Sequence, residues 1–428
     1  MTTASLPDLR SARLSSSAIE SECYGLAQSL FEKFRARHVR RGRSPGLAFA
    51  RRLCRWRAKR RKKIFIAIFQ RGAVDGLNVV VPHREPAYYA LRPSIAIAPP
   101  NNGQTGAIDL DGHFGLHPSL RALKPLWDGG QLAIVEAVGS PDPTRSHFDA
   151  QDYMESGTPG IKTTSGGWLN RALSIEPQPS PVRAVSLTPD LPRSLRGNNP
   201  AVAIGRIHDF QIRTSAAAEA FESMYAATGD RIFNATARET FEAMRIMRSL
   251  EQEQYLPANG ARYPQDRLGR SLEQIARLIK AGVGLEVAFT DVGGWDTHVN
   301  QPGRLANLLR DFGNTLAAFA NDLGDRMDDV VVVTLSEFGR TVKENGNRGT
   351  DHGHANVMFV LGGEVRGGRV YGEWPGLERE QLYQGRDLNV ATDFRTVLAE
   401  LVAKQTGNAN TGSLFPGFQS TGSLGILA

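Results

Sequence analysis

The sequence predicts an α/β protein with a mostly parallel central sheet flanked by helices. Short apolar runs rich in β-branched residues alternate along the chain with segments whose apolar residues recur about every 3.6 positions. This alternation is typical of strands joined by crossover helices. The run Val330–Val333 is continuously apolar, which indicates a strand buried on both faces in the middle of a parallel sheet.

The predicted elements follow in order from Ile64. Strands are expected at residues 63–69, 132–138, 183–187, 201–204, 285–290, 330–334 and 357–361. Helices are expected at residues 146–157, 305–323 and 392–403, the first with Ser146 as its N-cap and Gly157 as its end, the last with Thr392 as its N-cap. Residues 207–282 change to helical periodicity at 216–227, 232–255 and 268–281. They predict a helical insertion that caps or packs on the sheet.

The first 63 residues differ from the rest in charge. Fifteen Lys and Arg residues and no Asp or Glu lie between Lys33 and Lys63, whereas the chain from Ile64 onward has 34 basic and 40 acidic residues. The formal net charge of +7 therefore comes from a basic arm on an acidic body. We expect residues 1–63 to be a disordered arm and residues 64–428 to fold as one α/β domain.

Several interpretations are open for this arm. Arg40 and Arg41 begin something like a twin-arginine export signal, but the apolar run after them is shorter than the roughly 7–15 residues of a signal peptide. No stretch of the chain reaches the about 18 apolar residues of a membrane span. The arm is read as a mis-assigned start, as a decayed targeting segment, or as a tail that touches anionic lipid or nucleic acid non-specifically. Trp56 is its one Trp, so specific stacking on nucleic acid is not favoured.

Carboxylate and imidazole side chains follow three of the predicted strands. Ligands in open α/β sheets bind just beyond the carboxyl ends of the strands. The body contains no cysteine, and oxygen and imidazole donors without thiolate suit a divalent ion such as zinc, manganese or a magnesium-like ion. About four to six of the candidates are expected to bind it. The predicted metal ligands are Asp75, Asp296, His298, Glu337, Asp351, His352 and His354.

Three further residues are candidates for catalysis. Ser146 begins a predicted helix, where a hydroxyl is either a plain N-cap or a nucleophile that accepts a phosphoryl or sulfuryl group in the positive field of the helix dipole. His147 beside it would donate a proton or add a metal ligand. Arg340, or Arg71, would hold an anionic ester. The plain alternative for Asp75 is a turn residue, because Asp-Gly is a common turn pair.

Six motifs that follow one another along the chain resemble those of one known family. Together they are similar to the domain-of-unknown-function family 1501 (DUF1501) over essentially all of residues 64–428. That family looks like a branch of the alkaline phosphatase/sulfatase superfamily, many of whose members are exported. The resemblance implies an alkaline phosphatase-like fold and a bacterial periplasmic or envelope location, although without an intact signal peptide the cytoplasm stays open. The motifs are Arg71–Asn78, Tyr88–Pro93, Ser146–Gln151, Gly294–His298, Ser336–Thr341 and Thr350–His354.

The resemblance also implies roles for particular positions. Asp75 matches the superfamily's aspartate after the first strand, and Ser146, or Thr144 as the alternative, matches its nucleophile at a helix start. The final histidine of the superfamily site corresponds to His352 or His354.

Two positions depart from the superfamily pattern. The pair Asp296-x-His298 is tighter than the superfamily's Asp-x-x-x-His. Phe338 stands where the superfamily has a histidine after a carboxylate, and Phe338 cannot bind a metal.

Three interpretations of function follow. The first is a metal-dependent hydrolase that acts on small anionic phosphate or sulfate esters. The second is a non-catalytic metal- or ligand-binding envelope protein with a degenerate alkaline phosphatase-like site. In the third, the Asp and His residues serve only as turn and hydrogen-bonding groups. Turn formation does not require such groups after three separate strands, so the third is disfavoured.

Overall fold

The computed structural model describes residues 62–101, 105–173, 179–207, 231–420 and 422–428. The predicted basic arm lies outside these residues, apart from its last two. Lys62 Nζ lies 2.8 Å from Glu286 Oε1, and Lys63 Nζ lies 2.7 Å from Glu364 Oε1. The predicted helix at residues 216–227 also lies outside the described residues.

The described residues form twelve β-strands and ten α-helices. The strands are β1 (Ile64–Gln70), β2 (Val80–Val81), β3 (Ile108–Asp109), β4 (Gly115–Leu116), β5 (Leu132–Gly139), β6 (Ala184–Ser186), β7 (Val202–Ala203), β8 (Val287–Val292), β9 (Val330–Leu335), β10 (Asn356–Gly362), β11 (Arg369–Tyr371) and β12 (Thr392–Asp393). The helices are α1 (Gly76–Val79), α2 (Pro86–Leu91), α3 (Lys124–Asp128), α4 (His147–Ser156), α5 (Trp168–Arg171), α6 (Arg231–Gln252), α7 (Arg267–Ala281), α8 (Gln301–Leu323), α9 (Phe394–Thr406) and α10 (Thr411–Leu414). Short 3₁₀ helices lie at Pro118–Leu123, Arg193–Leu195, Gly324–Asp329 and Arg379–Gln381.

The main sheet has nine strands within the described part of the chain. Their order is β11-β5-β10-β9-β1-β8-β6-β7, and β12 pairs with β5. Every pairing in this sheet is parallel except the two made by β10, which is antiparallel to both β5 and β9. The prediction of a mixed α/β fold with a large, mostly parallel sheet flanked by helices is confirmed. Strands β2, β4 and β3 form a separate antiparallel sheet.

Apolar side chains cover the main sheet on both faces. One core contains residues of β1, α7 and α8, and the other contains different residues of β1 together with residues of α5 and α9. Each fully buried Ile or Phe contributes about 1.5–3 kcal/mol relative to an exposed one. The central position of β1 and β9 therefore explains why their sequences are continuously apolar. In β1, Ile64, Ile66 and Ile68 belong to the first core, and Phe65, Ala67 and Phe69 belong to the second.

The described part of the predicted helical insertion consists of α6 and α7. Met247 of α6 and Leu272 and Ile275 of α7 are buried in the same core as Ile66 of β1. These helices therefore pack as a layer on one face of the sheet.

The N-cap of the closing helix lies one residue later than predicted. Thr392 is not the N-cap of α9, so that prediction is wrong. The cap is Asp393, whose carboxylate accepts from the backbone N–H of Arg395. Thr392 lies in β12, where it pairs with Val138. Both residue types suit an N-cap, and the pairing of β12 with β5 keeps the backbone extended through Asp393, so the helix starts after that residue.

The fold brings the ends of several strands to one edge of the main sheet. Because β1, β5, β8 and β9 run in the same direction, their carboxyl ends meet at this edge. Strand β10 runs the other way and therefore begins there. Five segments therefore lie close together at this edge: those that follow β1, β5, β8 and β9, and the one that precedes β10. Ligands in open α/β sheets bind at such an edge.

A buried histidine near this part of the fold predicts a pH dependence of stability. His117 caps the first 3₁₀ helix, accepting at Nδ1 from the N–H of Ser119 at 3.0 Å, and burial lowers its pKa to about 4. Unfolded His has a pKa near about 6.5. The unfolded chain therefore binds the additional proton as the pH falls from about 6.5 to 4, and folding stability falls by about 3 kcal/mol. His117→Asn keeps a capping acceptor, so urea unfolding at pH 7, 5.5 and 4.5 should show a smaller acid loss. An unchanged acid loss would contradict this prediction.

Candidate metal centre

Helix α4 carries the first site residue to the edge of the sheet. Ser146 Oγ accepts from the backbone N–H of Asp149 at 3.5 Å, and Gly157 ends the helix at a φ of 72°. A φ of this sign favours glycine. The predicted helix with its N-cap and its stop is confirmed, and His147 is its first residue.

Two tightly packed loops bring the other site residues to His147. Asp296 and His298 follow β8, and His352 lies in the connection from β9 to β10. The two loops touch through backbone, because a Cβ at Gly349 would overlap the carbonyl group of His298. Glycine is therefore required at that position.

Three imidazole nitrogens and one carboxylate oxygen meet at one point. His352 Nε2 lies 3.0 Å from His147 Nε2, 3.1 Å from His298 Nε2 and 3.3 Å from Asp296 Oδ1. Asp296 Oδ1 lies 2.9 Å from His298 Nε2 and 3.7 Å from His147 Nε2. Donors bound to one ion at about 2.0–2.1 Å stand about 3.0–3.4 Å apart. The observed separations bracket that range.

The far side of each ring fixes its tautomer. Nδ1 of His352 lies 3.0 Å from the Arg145 carbonyl oxygen. Nδ1 of His147 lies 2.8 Å from the Glu337 carboxylate, and Nδ1 of His298 lies 3.0 Å from the Asp351 carboxylate. These oxygens only accept, so each Nδ1 carries the proton and donates it. A ring whose single proton is on Nδ1 turns the lone pair of Nε2 toward the other two rings and Asp296. Four acceptors facing one another repel unless a cation lies between them.

Glu337 holds His147 from a fully buried position. Its Oε1 accepts from the N–H of Gly72 at 2.9 Å, from Gln151 Nε2 at 2.8 Å and from His147 Nδ1 at 2.8 Å, and Ser336 Oγ donates to Oε2 at 3.1 Å. Burial raises the pKa of the Glu337 carboxyl, but the hydrogen bonds outweigh burial and hold the pKa below its ordinary value. Glu337 is therefore ionised, and its bond to His147 raises the pKa of that imidazole.

Asp296 is held by the buried guanidinium of Arg340. Arg340 Nη1 donates to Asp296 Oδ1 at 2.8 Å, and its Nε donates to Thr350 Oγ1 at 3.3 Å. Burial raises the pKa of the Asp296 carboxyl, but the hydrogen bond and charge of Arg340 prevail and lower it. The predicted anion-holding Arg340 thus contacts the site through Asp296. The alternative, Arg71, uses its three guanidinium nitrogens on Asp291, Gln151 and Glu155.

The centre is reached from solvent on the Asp296 and His298 side. These side chains are 45% and 38% exposed, respectively. Asp351, which accepts from His298 Nδ1, is 54% exposed. On the opposite side, Phe338 is buried, and its ring lies 5.0 Å from the ring of His147 and 5.1 Å from that of His352, centroid to centroid. Phe338 therefore fixes two imidazoles rather than replacing a ligand.

The structure gives Asp75 and His354 other partners. Asp75 Oδ2 accepts from Arg92 Nη1 at 2.7 Å and from Gln301 Nε2, and both Asp75 and Arg92 are buried. His354 Nε2 donates to the Ser140 carbonyl oxygen at 3.1 Å, and burial lowers the pKa of His354. Ser146 is exposed and caps the helix directly before His147. The four converging donors thus come from His147, Asp296, His298 and His352, while Glu337 and Asp351 contact Nδ1 atoms instead.

Sequence reasoning did not identify two groups that hold the rings. The Arg145 carbonyl oxygen orients His352, a backbone role that no side-chain pattern reveals. Gln151 donates to Glu337. It lies four residues after His147 and therefore on the same face of α4. The spacing within Ser146–Gln151 was the signal that could have identified it.

Within the described ranges, one group of three or more His, Cys, Asp or Glu residues is close enough to hold an ion. It consists of His147, Asp296 and His352, and the contacts of His298 add a fourth member. Among the same residues, no helix combines the length and apolar character needed to cross a bilayer.

The fold and the candidate centre define a mixed α/β protein with a histidine-rich cluster at the carboxyl edge of its sheet. The chain belongs to the family described as "Protein of unknown function (DUF1501)", which matches residues 132–414. The match begins at β5 and is thus narrower than the 64–428 over which the motifs suggest the resemblance.

Two solved structures are distantly similar to the chain. No curated protein matches the chain significantly. Among solved structures, the lipoteichoic acid synthase LtaP from Listeria monocytogenes is 9% identical at a TM-score of 0.29, over 71% of this chain and 66% of that chain. The PH0037 protein from Pyrococcus horikoshii is 12% identical at a TM-score of 0.28, over 71% of this chain and 87% of that chain. These likenesses are too low to support an argument about function.

Proposed function

We propose that the chain is a metal-dependent hydrolase of phosphate or sulfate esters. The observation that carries the proposal is the convergence of three Nε2 atoms and the Asp296 oxygen, with each Nδ1 already held by an acceptor. Histidine ligands of metals usually donate their other ring N–H to a carboxylate or carbonyl oxygen, which fixes the ring and raises its basicity. His147, His298 and His352 all show this arrangement.

The donor set favours a transition-metal ion. Imidazole nitrogen suits zinc and its neighbours, whereas magnesium prefers oxygen ligands and retains several waters. Three imidazoles and one carboxylate fill a tetrahedral zinc site, and the exposed side at Asp296 leaves room for a fifth partner. We therefore propose that His147, Asp296, His298 and His352 bind the ion, and that Glu337 and Asp351 orient two of those histidines.

The charges of the site suit an anionic ester. When bound, a divalent ion supplies Lewis-acid polarisation of the ester oxygen and stabilises the charge that develops on it. Histidine binds a metal as the neutral imidazole, so Asp296 would contribute the one negative charge among the four donors. Arg340 Nη1, 2.8 Å from Asp296, offsets that charge. Glu337 and Asp351 add two carboxylates on the Nδ1 side of the rings, so the positive charge that an anionic ester would meet is that of the bound ion.

We propose Ser146 as the nucleophile. Its hydroxyl is exposed at the start of α4, in the residue directly before His147. The helix dipole stabilises negative charge at that end, which suits a covalent phosphoryl or sulfuryl group on the serine oxygen. Asp75, Ser146 and the cluster share one edge of the sheet, which supports an alkaline phosphatase-like arrangement for the single domain at residues 64–428.

Ester hydrolysis before and after metal loading tests the proposed function. Protein stripped with a chelator should be inactive toward 4-nitrophenyl phosphate and 4-nitrophenyl sulfate. Loading with zinc or manganese should restore turnover of at least one of them. Fully loaded protein that turns over no phosphate or sulfate ester would contradict the proposal and favour a non-catalytic metal-binding protein.

The variant Ser146→Ala tests whether Ser146 is a nucleophile or only an N-cap. We expect it to lower turnover at least about 10³-fold, because the attacking oxygen is lost. Metal content should stay the same, and the free energy of unfolding should fall by only about 1 kcal/mol, the usual effect of losing a cap. Thr144→Ala, which removes the neighbouring hydroxyl, is the matched control and should retain turnover. Turnover that survives in Ser146→Ala would identify the serine as a cap alone.

A further inference from the structure

Large apolar side chains are exposed on segments that carry or flank the candidate metal centre. Within the described ranges, four large hydrophobic residues are strongly exposed: Phe148 (90%), Leu256 (72%), Ile161 (47%) and Val299 (46%). Single exposed apolar residues are ordinary on a protein surface. Their distribution is not ordinary here, because three of the four belong to segments that carry or flank the site.

Two of these residues are attached directly to the converging histidines. Phe148 follows His147, and Val299 follows His298. The Nε2 atoms of both histidines contact His352 Nε2, at 3.0 Å and 3.1 Å. Two segments of the centre therefore each carry an exposed apolar side chain directly after a histidine.

An ion pair joins the segment of the third residue to the first turn of α4. Lys162 Nζ lies 2.7 Å from Asp149 Oδ1. Asp149 is in the first turn of α4 with Phe148, so this contact joins the segment that carries Ile161, the residue before Lys162, to that turn. Phe148, Ile161 and Val299 form what we call the apolar rim. Leu256, by contrast, lies between α6 and α7.

We propose that the apolar rim binds the hydrocarbon part of the substrate, and that the substrate is an amphiphilic ester with a phosphate or sulfate group on an alkyl chain. The inference rests on the proposed function. The bound ion would attract the anionic group, and two residues of the rim follow proposed ligands directly in the chain, so their exposed apolar surface lies near the ion. Contact between a chain and Phe148 removes apolar area from water on both partners, which a polar alcohol group would not do. The rim thus determines specificity rather than catalysis.

An alkyl series tests the rim independently of turnover. The n-alkylphosphonates from methyl to hexyl keep the anionic group but have no ester bond to hydrolyse, so calorimetry on metal-loaded protein reports binding alone. We expect affinity to rise about two- to fourfold with each methylene. The n-alkyl phosphates and sulfates from methyl to hexyl, assayed by release of inorganic phosphate or sulfate, should show the same trend in kcat/KM.

Variants assign the trend to the rim. Phe148→Ala and Val299→Ala should each lower the hexyl-to-methyl affinity ratio, Phe148→Ala by about tenfold. Both residues are exposed, so neither change creates a cavity. Leu256→Ala removes an exposed residue outside the rim and should leave the ratio unchanged.

The outcomes distinguish the rim from the proposed function. A hexyl-to-methyl ratio near one in the unmodified protein overturns the inference, as does a large ratio that both rim variants retain. Chain-dependent binding of phosphonates without hydrolysis of any ester supports the rim and contradicts the proposed hydrolase.

Discussion

Replacing His352 with alanine is expected to lower the affinity for a divalent ion by more than about 100-fold and to abolish ester hydrolysis. His352 Nε2 is within 3.3 Å of all three other donors, so its loss removes the ligand at the middle of the set. Changes to residues that only orient a ligand typically cost 10–100-fold in affinity, and a ligand itself should cost more. Competition against a chromophoric chelator measures the change.

The chain offers a matched control two residues away. His354 has the same side chain but donates to the Ser140 carbonyl oxygen. His354→Ala should keep the affinity for the ion within about tenfold, although it opens a buried position and lowers the melting temperature. Loss of the ion in His354→Ala together with its retention in His352→Ala would contradict the assignment of ligands.

Replacing Glu337 with glutamine is expected to weaken metal binding about 10–100-fold and to destabilise the fold. The carboxylate accepts four hydrogen bonds, from Gly72, Gln151, His147 and Ser336. A glutamine at this buried position presents an NH₂ group to donors that need an acceptor. We expect a loss of about 1–3 kcal/mol in the free energy of unfolding. Urea unfolding and the same chelator competition measure the two effects.

Asp351→Asn is the comparison for this variant. Asp351 makes the equivalent contact with His298, but its side chain is 54% exposed, and solvent can replace the lost acceptor. The affinity should therefore fall by less than in Glu337→Gln, and the free energy of unfolding should change by no more than about 0.5 kcal/mol. Equal losses in the two variants would show that burial of Glu337 adds nothing to its role.

The strands and their ends could be predicted because a strand that is buried on both faces has a continuously apolar local sequence. The continuously apolar runs of β1 and β9 follow from their central places in the sheet. The direction of β10 could not be predicted in this way. A strand buried on both faces has the same composition whether it runs parallel or antiparallel, and the long connection carrying Asp351 and His352 permits either direction.

The residue types of the candidate site could be predicted, but the role of each residue in the site could not. Imidazole and carboxylate groups at strand ends indicated a cation. Which carboxylate meets an Nε2 and which meets an Nδ1 depends on ring orientation, and that orientation is set by distant groups such as the Arg145 carbonyl oxygen. Asp75 illustrates the same limit. Its pairing with Arg92, seventeen residues on, depends on tertiary packing that a turn motif does not encode.

The position of a bound ion tests the central claim most directly. Crystals of zinc-loaded protein, measured on both sides of the zinc absorption edge, give an anomalous difference map that locates the ion without assumptions about its ligands. We predict one peak at about 2.0–2.2 Å from Nε2 of His147, His298 and His352 and from a carboxylate oxygen of Asp296. A zinc peak located elsewhere, or no peak at these four residues in fully loaded protein, would contradict the account.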